Sequence, residues 1–338
     1  MMNESRSRIP VIPRNGIYLP ELDLHLDAHR KVGFGFVSHA HADHYARHSR
    51  ILCSRRTAEL IRVRYGVGRS ELVALDFHEP LELEGYRIVL IPAGHILGSS
   101  QIHLTRLSDG ASLLYTGDFK VKPGLAAEEP EFMHADTLVM ETTFGLPKYE
   151  FPDPKVIHED VRDFVRFTLA DGEVPVLMGY SLGKAQELLC AVTELNIPVL
   201  MHPAVFKMTQ VYDQLADFPM PGYRKFSKAE DPGGYILLFP PNVVRSEPLQ
   251  NIGNIRTAVA SGWGMDSSAK YRYGVDFVFP LSDHADYPDL IECVEKVNPR
   301  LVLTMHGYAA EFAADLRRRG VEAWCLKGDD QLELFVES

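Results

Sequence analysis

The chain has 338 residues, 46% of them apolar and 24% charged, the balance of an ordinary soluble globular protein with room for one large domain or two moderate ones. A net charge of −11 excludes a general nucleic-acid coat protein held by charge alone. It leaves open a nucleic-acid enzyme in which bound cations and a local basic patch handle phosphates. The longest apolar runs, such as 137–140 and 174–178, are too short to span a bilayer. Residues 1–13 are polar and proline-punctuated without an apolar signal core, so the expected location is cytoplasmic and no membrane partner is expected. Cys53, Cys190, Cys293 and Cys325 show no CxxC spacing, and read as buried apolar fillers rather than disulfides or a zinc knuckle.

In chain order, residues 15–30 read as short strands, and 32–37 as a buried strand that delivers Ser38-His39-Ala40-His41-Ala42-Asp43-His44-Tyr45. Imidazole and carboxylate together suit zinc, manganese and similar divalent ions. His39 and His41 are two apart, so on extended backbone they point the same way and can share one ion. Asp43 and His44 are adjacent and must diverge, which favours two ions side by side. Residues 47–69 carry seven arginines against one acid, Glu59. This run reads as a phosphate-facing patch containing Arg55 and Arg56, or as a solvated face, with a helix over 57–65. A strand over 81–91 delivers His95. A hairpin of 101–107 and 112–115, turned at Asp109-Gly110, delivers Asp118. A buried strand over 137–140 delivers Glu141. Successive strand ends on one sheet edge are where a rigid scaffold places catalytic groups.

The texture changes at Gly145. Pro147, Pro152 and Pro154 form a linker, followed by a helix over 155–169 and a strand over 174–178. The turn Gly179-Tyr180-Ser181-Leu182-Gly183-Lys184 then opens a helix to about 195. It lacks the spacing of a nucleotide-binding P-loop, although its amides could face a phosphate. Strands over 198–201, 235–239 and 257–260, with a helix over 204–215, continue a parallel α/β layer. From 275 the earlier style returns. A strand over 277–281 delivers Ser282-Asp283-His284, one over 301–305 delivers His306-Gly307, helices cover 288–297 and 309–319, and the final strand is 321–326.

His39-x-His41-x-Asp43-His44 with His95 and Asp118 resembles the metallo-β-lactamase superfamily. Glu141 in Glu-Thr-Thr-Phe-Gly, His284 in Ser-Asp-His-Ala-Asp-Tyr and His306 in Met-His-Gly match the motifs of its β-CASP nuclease branch. Pro92-Ala93-Gly94-His95-Ile96-Leu97-Gly98-Ser99, the stretch 141–147, Gly183-Lys184-Ala185-Gln186 and Ser261-Gly262-Trp263 look like the bacterial exonucleases encoded alongside an ATP-dependent DNA ligase.

The resemblance implies an α/β fold, a metallo-β-lactamase αββα sandwich made of 1–145 and 275–338, with an inserted β-CASP cap over 146–274. It implies two divalent ions, zinc or manganese. His39, His41 and His95 would hold one ion, Asp43, His44 and His306 the other, and Asp118 would bridge them, a carboxylate offsetting the repulsion of two dications. Asp43 counts with the catalytic groups for that reason. Asp27 would buttress the ligand loop from behind. His284 would act as general acid, held protonated by Glu141. Ser282, Ser181 and Lys184 are candidate phosphate contacts, or else helix-capping and solvated groups. The implied substrate is nucleic acid, single-stranded DNA ahead of RNA, with functional association with a DNA ligase and a helicase. His306 pulls toward RNA and the bacterial likeness toward DNA. A small-molecule thioester or lactam hydrolase is disfavoured by the Glu141, His284 and His306 set, and an inactive scaffold by the intact ligand positions.

Overall fold

The computed structural model describes residues 8–216, 218–229 and 231–326. The start of the polar N-terminal stretch and the last residues assigned to the sandwich, 327–338, lie outside them. The chain divides into two compact units, one of residues 1–123, 128–150 and 284–338, the other of 124–127 and 151–283.

The first unit contains two sheets. One runs Ile12–Pro13, Ile17–Leu19, Leu24–Leu26, Phe34–Phe36, Arg50–Ser54, Leu72–Leu75, antiparallel at first and parallel from Leu24–Leu26 onward. The other is ordered Ala323–Cys325, Leu301–Met305, Thr137–Glu141, Ser112–Tyr115, Ser100–Arg106, Tyr86–Pro92, Leu81–Leu83. Its first four strands are parallel and the rest antiparallel.

Side chains alternate across a strand, and the two faces of the second sheet pack differently. Leu113, Val139 and Leu303 join Leu26, Phe36 and Leu52 of the first sheet in one core. Leu114, Leu138, Met140 and Val302 turn the other way, onto Leu290 and Cys293 of the helix Tyr287–Val297 and Phe312 and Leu316 of Ala309–Arg318. The helix Arg55–Tyr65 packs on the outer side of the first sheet, which completes an αββα sandwich. It starts where the Ser54 side chain accepts from the Thr57 amide, and stops at Gly66 in the left-handed region, a standard pair of end signals. The strands at 50–54 and 72–75 are additional to those expected, and the single strand expected over 81–91 is a hairpin turned at Glu84 and Gly85, both at positive φ.

The second unit is one all-parallel sheet, ordered Tyr223–Lys225, Val199–Met201, Ile236–Phe239, Val174–Met178, Ile255–Ala260, Phe277–Phe279. Helices Pro154–Ala170, Lys184–Ala191 and Pro203–Leu215 accompany it. Its second boundary differs from the expected return at 275. Phe277–Phe279 hydrogen-bonds alongside Ala258–Ala260, and Phe279 and Leu281 are buried with Val161 and Leu177, so the change of unit falls between Asp283 and His284. At the first boundary Tyr149, expected beyond the sandwich, is buried against Phe144 and accepts the Tyr287 amide on its carbonyl. All four cysteines are free and buried. Among the described residues no helix is long and apolar enough to cross a membrane.

Candidate metal centre

The centre is organised from behind by Asp27, which sits just past Leu24–Leu26 at φ 45° and is 2% exposed. Its Oδ1 accepts from the Ser38 amide at 2.8 Å. Its Oδ2 accepts from Ser38 Oγ at 2.6 Å, Tyr115 OH at 2.8 Å and His44 Nδ1 at 2.9 Å. A hydroxyl has one proton to give. Ser38 gives it to Asp27, so its oxygen can only accept from His39 Nδ1, 3.0 Å away. The same acid therefore places the protons of His39 and His44 on Nδ1 and leaves both Nε2 lone pairs facing outward. Gly117 makes room for this: at φ 55°, a Cβ there would lie 2.5 Å from Ser38 Cβ.

Those lone pairs converge. His41 Nδ1 lies 3.0 Å from His39 Nε2 and 3.1 Å from His95 Nε2. Asp118 Oδ2 lies 3.1 Å from His44 Nε2, 3.7 Å from His39 Nε2 and 4.0 Å from His95 Nε2. Two donor groups, His39/His41/His95 and His39/His44/Asp118, each have ligand atoms within 4.8 Å of one another. Burial, then His44, His95 and His41, push His39 well below its ordinary pKa. Burial opposes charge on His44, yet Asp118 and Asp27 outweigh it and raise that imidazole well above its ordinary value. Burial likewise raises Asp118, but His44 and His284 hold it well below the usual carboxylate range. A neutral His39, the converging nitrogens of His41 and His95 and the ionised Asp118 are a donor set that a divalent cation fits, and a cation there would take the place of the Nε2 proton that Asp118 favours on His44.

Glu141 closes the strand Thr137–Glu141 and is 1% exposed. Its Oε1 accepts from the Phe119 amide at 3.0 Å and His284 Nδ1 at 2.9 Å, and its Oε2 accepts from the hydroxyl and amide of Thr143. Four donors thus fix the position of this carboxyl. Glu141, Asp118 and His284 form a third group of close donor atoms, and the His284 ring lies 4.7 Å from that of His95. His306 follows Leu301–Met305 at φ 60°, with its ring centroid 6.1 Å from that of His44. Its carbonyl accepts from Thr142 Oγ1 at 2.7 Å.

The remaining expectations fare differently. The Asp43 side chain is 81% exposed, with Oδ2 3.9 Å from His44 Nε2. Arg55 and Arg56, expected on phosphate, are both engaged elsewhere. Arg55 is bidentate on Asp76. Arg56 pairs with Glu128, which also accepts the Gly98 amide. Ser181, Lys184 and Ser282 belong to the second unit. Lys184, read as a phosphate contact, is 1% exposed, its Nζ lying 3.5 Å from Glu187 and 3.6 Å from Asp283. Ser282 is buried. The Ser181 carbonyl accepts from Gln186 Nε2, while the Gly183 amide donates to Gln186 Oε1 at 2.7 Å, so this turn caps its own helix. Ser38, Tyr115 and Thr143 were not foreseen. Only the position of Ser38, directly before the first ligand, offered a signal.

Residues 272–326, which hold both His284 and His306, match the family described as Zn-dependent metallo-hydrolase RNA specificity domain. The DNA cross-link repair protein SNM1 of Arabidopsis thaliana is 29% identical over 186 residues, 52% of this chain and 38% of that protein. The RNase J-like protein of Methanocaldococcus jannaschii is 25% identical over 206 residues, 52% of this chain and 48% of that protein. With the sandwich and its donor set, these matches make the chain a homologue of the SNM1-type and RNase J-type β-CASP nucleases on a metallo-β-lactamase fold. A protein of Opitutus terrae named "Probable DNA ligase" is 49% identical over 325 residues, 96% of this chain. The chain spans 32% of that relative's length. A crystal structure of a protein of unknown function from Enterococcus faecalis shares the fold, with a TM-score of 0.56 at 16% identity over 86% of this chain and 78% of that one.

Proposed function

We propose that the chain is a metal-dependent phosphodiesterase that hydrolyses nucleic acid, and that it works as a DNA exonuclease in repair, acting on single strands. The observation that carries this reading is the Glu141–His284 pair beside the imidazole cluster: an acid–base couple placed next to a cation site. His39, His41 and His95 would hold one divalent ion, zinc or manganese, and His44 a second with Asp43 and His306, Asp118 standing between. When bound, such ions supply Lewis-acid stabilisation of phosphoryl oxygens and acidify a water. Asp27 and Ser38 present the correct imidazole nitrogens. Glu141 accepts the Nδ1 proton of His284, which leaves Nε2 of the protonated ring as the donor to the leaving oxygen. Thr143 and the Phe119 amide fix the Glu141 carboxyl, which in turn orients the His284 ring.

The SNM1 relatives and the ligase name of the Opitutus terrae protein favour DNA and joint work with a DNA ligase; work beside a helicase belongs to the same proposal. RNA is the second reading, favoured by the RNase J-like relative and by the RNA specificity description of the segment that carries His284 and His306. End-labelled single-stranded DNA and RNA, incubated with the protein and either manganese or zinc, test the proposal. Metal-dependent release of mononucleotides from DNA is expected, with DNA cleaved faster than RNA. Cleavage of neither polymer with either metal overturns it. Asp43→Ala should lose most activity and part of the bound metal, and wild-type turnover in that variant overturns the assignment of two ions.

A further inference from the structure

Four of the seven arginines in residues 47–69 pair with acids: Arg55, Arg56 and Arg62 closely, the last on Glu59, and Arg47 more loosely on Glu71. The others include a different arrangement beside the ligand loop. Tyr45 directly follows His44, and its ring lies on that of Tyr65 with centroids 4.1 Å apart and an interplanar angle of 7°. The Arg64 guanidinium lies 5.4 Å from the Tyr65 centroid. The inner part of this stack has a structural task. Arg64 and the Tyr65 hydroxyl both donate to the carbonyl of Ala40, at 2.9 Å and 3.2 Å, and so brace the loop between His39 and His41.

Tyr45 has no such task. Its ring is half-buried, and among the described residues its hydroxyl makes no hydrogen bond. Arg47, two positions further on, is exposed, and Glu71 is half-buried. Their own ion pair is long, 3.9 Å, with the Arg47 side chain 65% exposed. Arg69 is also exposed, with no acidic partner among the described residues. A flat aromatic ring directly after a candidate ligand histidine, with the exposed Arg47 two positions on and held only by a long ion pair, has the composition of a single-strand platform: bases stack on the ring and phosphates follow the cations.

We infer that Tyr45, backed by Tyr65, stacks a base of single-stranded nucleic acid where the strand leaves the ligand loop, with Arg47 on its backbone. This rests on the nuclease reading and adds the path of the substrate. It commits to no base identity, because every base offers a π-face.

The test is binding of fluorescein-labelled, nuclease-resistant oligonucleotides to the metal-loaded protein, followed by anisotropy, with phosphorothioate DNA and 2′-O-methyl RNA as separate arms. Tyr45→Leu should weaken binding by about 5- to 150-fold, the worth of one base–aromatic stack, with metal content and melting temperature unchanged. Tyr45→Phe, which keeps the ring, should bind as wild type does. A strand with one abasic position, moved along the oligonucleotide, should bind wild type weakly at one register and make no difference to Tyr45→Leu. Arg47→Gln should reduce the log–log salt slope by about 0.7. The arm with the larger Tyr45→Leu effect identifies DNA or RNA as the preferred strand. Unchanged binding by Tyr45→Leu, or equal weakening by Tyr45→Phe, overturns the inference. If Tyr45→Leu folds poorly, the abasic series on wild type decides alone, and indifference to the abasic position overturns the platform. Failure of wild type to bind either strand would instead refute the nuclease reading.

Discussion

Asp27→Asn is a one-atom test of how the metal centre is built. The carboxylate accepts from four donors, three of them on Oδ2. An amide nitrogen in place of Oδ1 would face the Ser38 backbone N–H, which cannot turn, so the amide must put its nitrogen where Oδ2 was. Tyr115 and Ser38 can rotate their hydroxyls to accept. His44 cannot keep its proton on Nδ1 and must move it to Nε2, toward Asp118. Ser38, now accepting from the amide, turns its own proton to His39 Nδ1 and drives the His39 proton to Nε2. One substitution thus blocks two lone pairs of the donor set. Loss of such a supporting group typically costs about 10–100-fold in metal affinity. The loss of a buried charge-assisted hydrogen bond costs about 1.5–3 kcal/mol of stability. Zinc competition against a chromophoric chelator measures the first quantity, and denaturant unfolding of the metal-free protein the second. Asp27→Asn that folds and binds zinc as tightly as wild type would refute the tautomer argument. Lost stability with unchanged affinity would reduce Asp27 to a packing role.

Three further outcomes are expected. His284→Ala and Glu141→Gln should each keep their bound metal but lose about 10²–10⁴-fold in kcat. A substrate with sulfur as the leaving atom should narrow the gap for His284→Ala, and metal loss in that variant would make His284 a ligand instead. Gly117→Ala should cost about 1–3 kcal/mol, from a non-glycine residue at φ 55° and a Cβ 2.5 Å from Ser38 Cβ; unfolding titrations and zinc affinity should fall together. For Asp315, the Tyr287 hydroxyl, and then Arg318 and Arg319 against the opposing effect of burial, hold the carboxyl down at about 2. A depressed carboxylate contributes stability above its unfolded pKa and loses it as pH falls through its folded one. Asp315→Asn should therefore melt below wild type at neutral pH, and the two curves should converge between pH 4 and pH 2, as circular-dichroism melts would record.

What could be read before the fold was known was chemistry at strand ends. His39, His95, Asp118 and Glu141 each follow a short apolar run, and burial of those runs brings His39 from one sheet and the other three from its partner sheet to one place. The supporting groups were not legible, because Tyr115 is an ordinary strand residue until the fold brings it against Asp27, 88 positions away. The ion-pair partners of Arg55 and Arg56 were not legible for the same reason. Their acids, Asp76 and Glu128, are 21 and 72 positions distant, so a local count of charge could not show which arginines of the run are paired. Phe277–Phe279 is apolar and strand-like in either unit. Only its pairing with Ile255–Ala260 decides where it belongs.

Thr142 has a consequence beyond its size. Its amide and hydroxyl both donate to the Met305 carbonyl, its hydroxyl also reaches the His306 carbonyl, and its own carbonyl accepts the Tyr308 amide. Glu141 and His306, the last residues delivered by two neighbouring strands, are therefore laced together by a side chain that performs no chemistry. With Gly307 too close to Thr142 and Thr143 to carry a Cβ, the two motifs cannot drift apart independently. Thr142→Val, which removes the hydroxyl, would loosen both motifs at once, although it touches neither functional side chain.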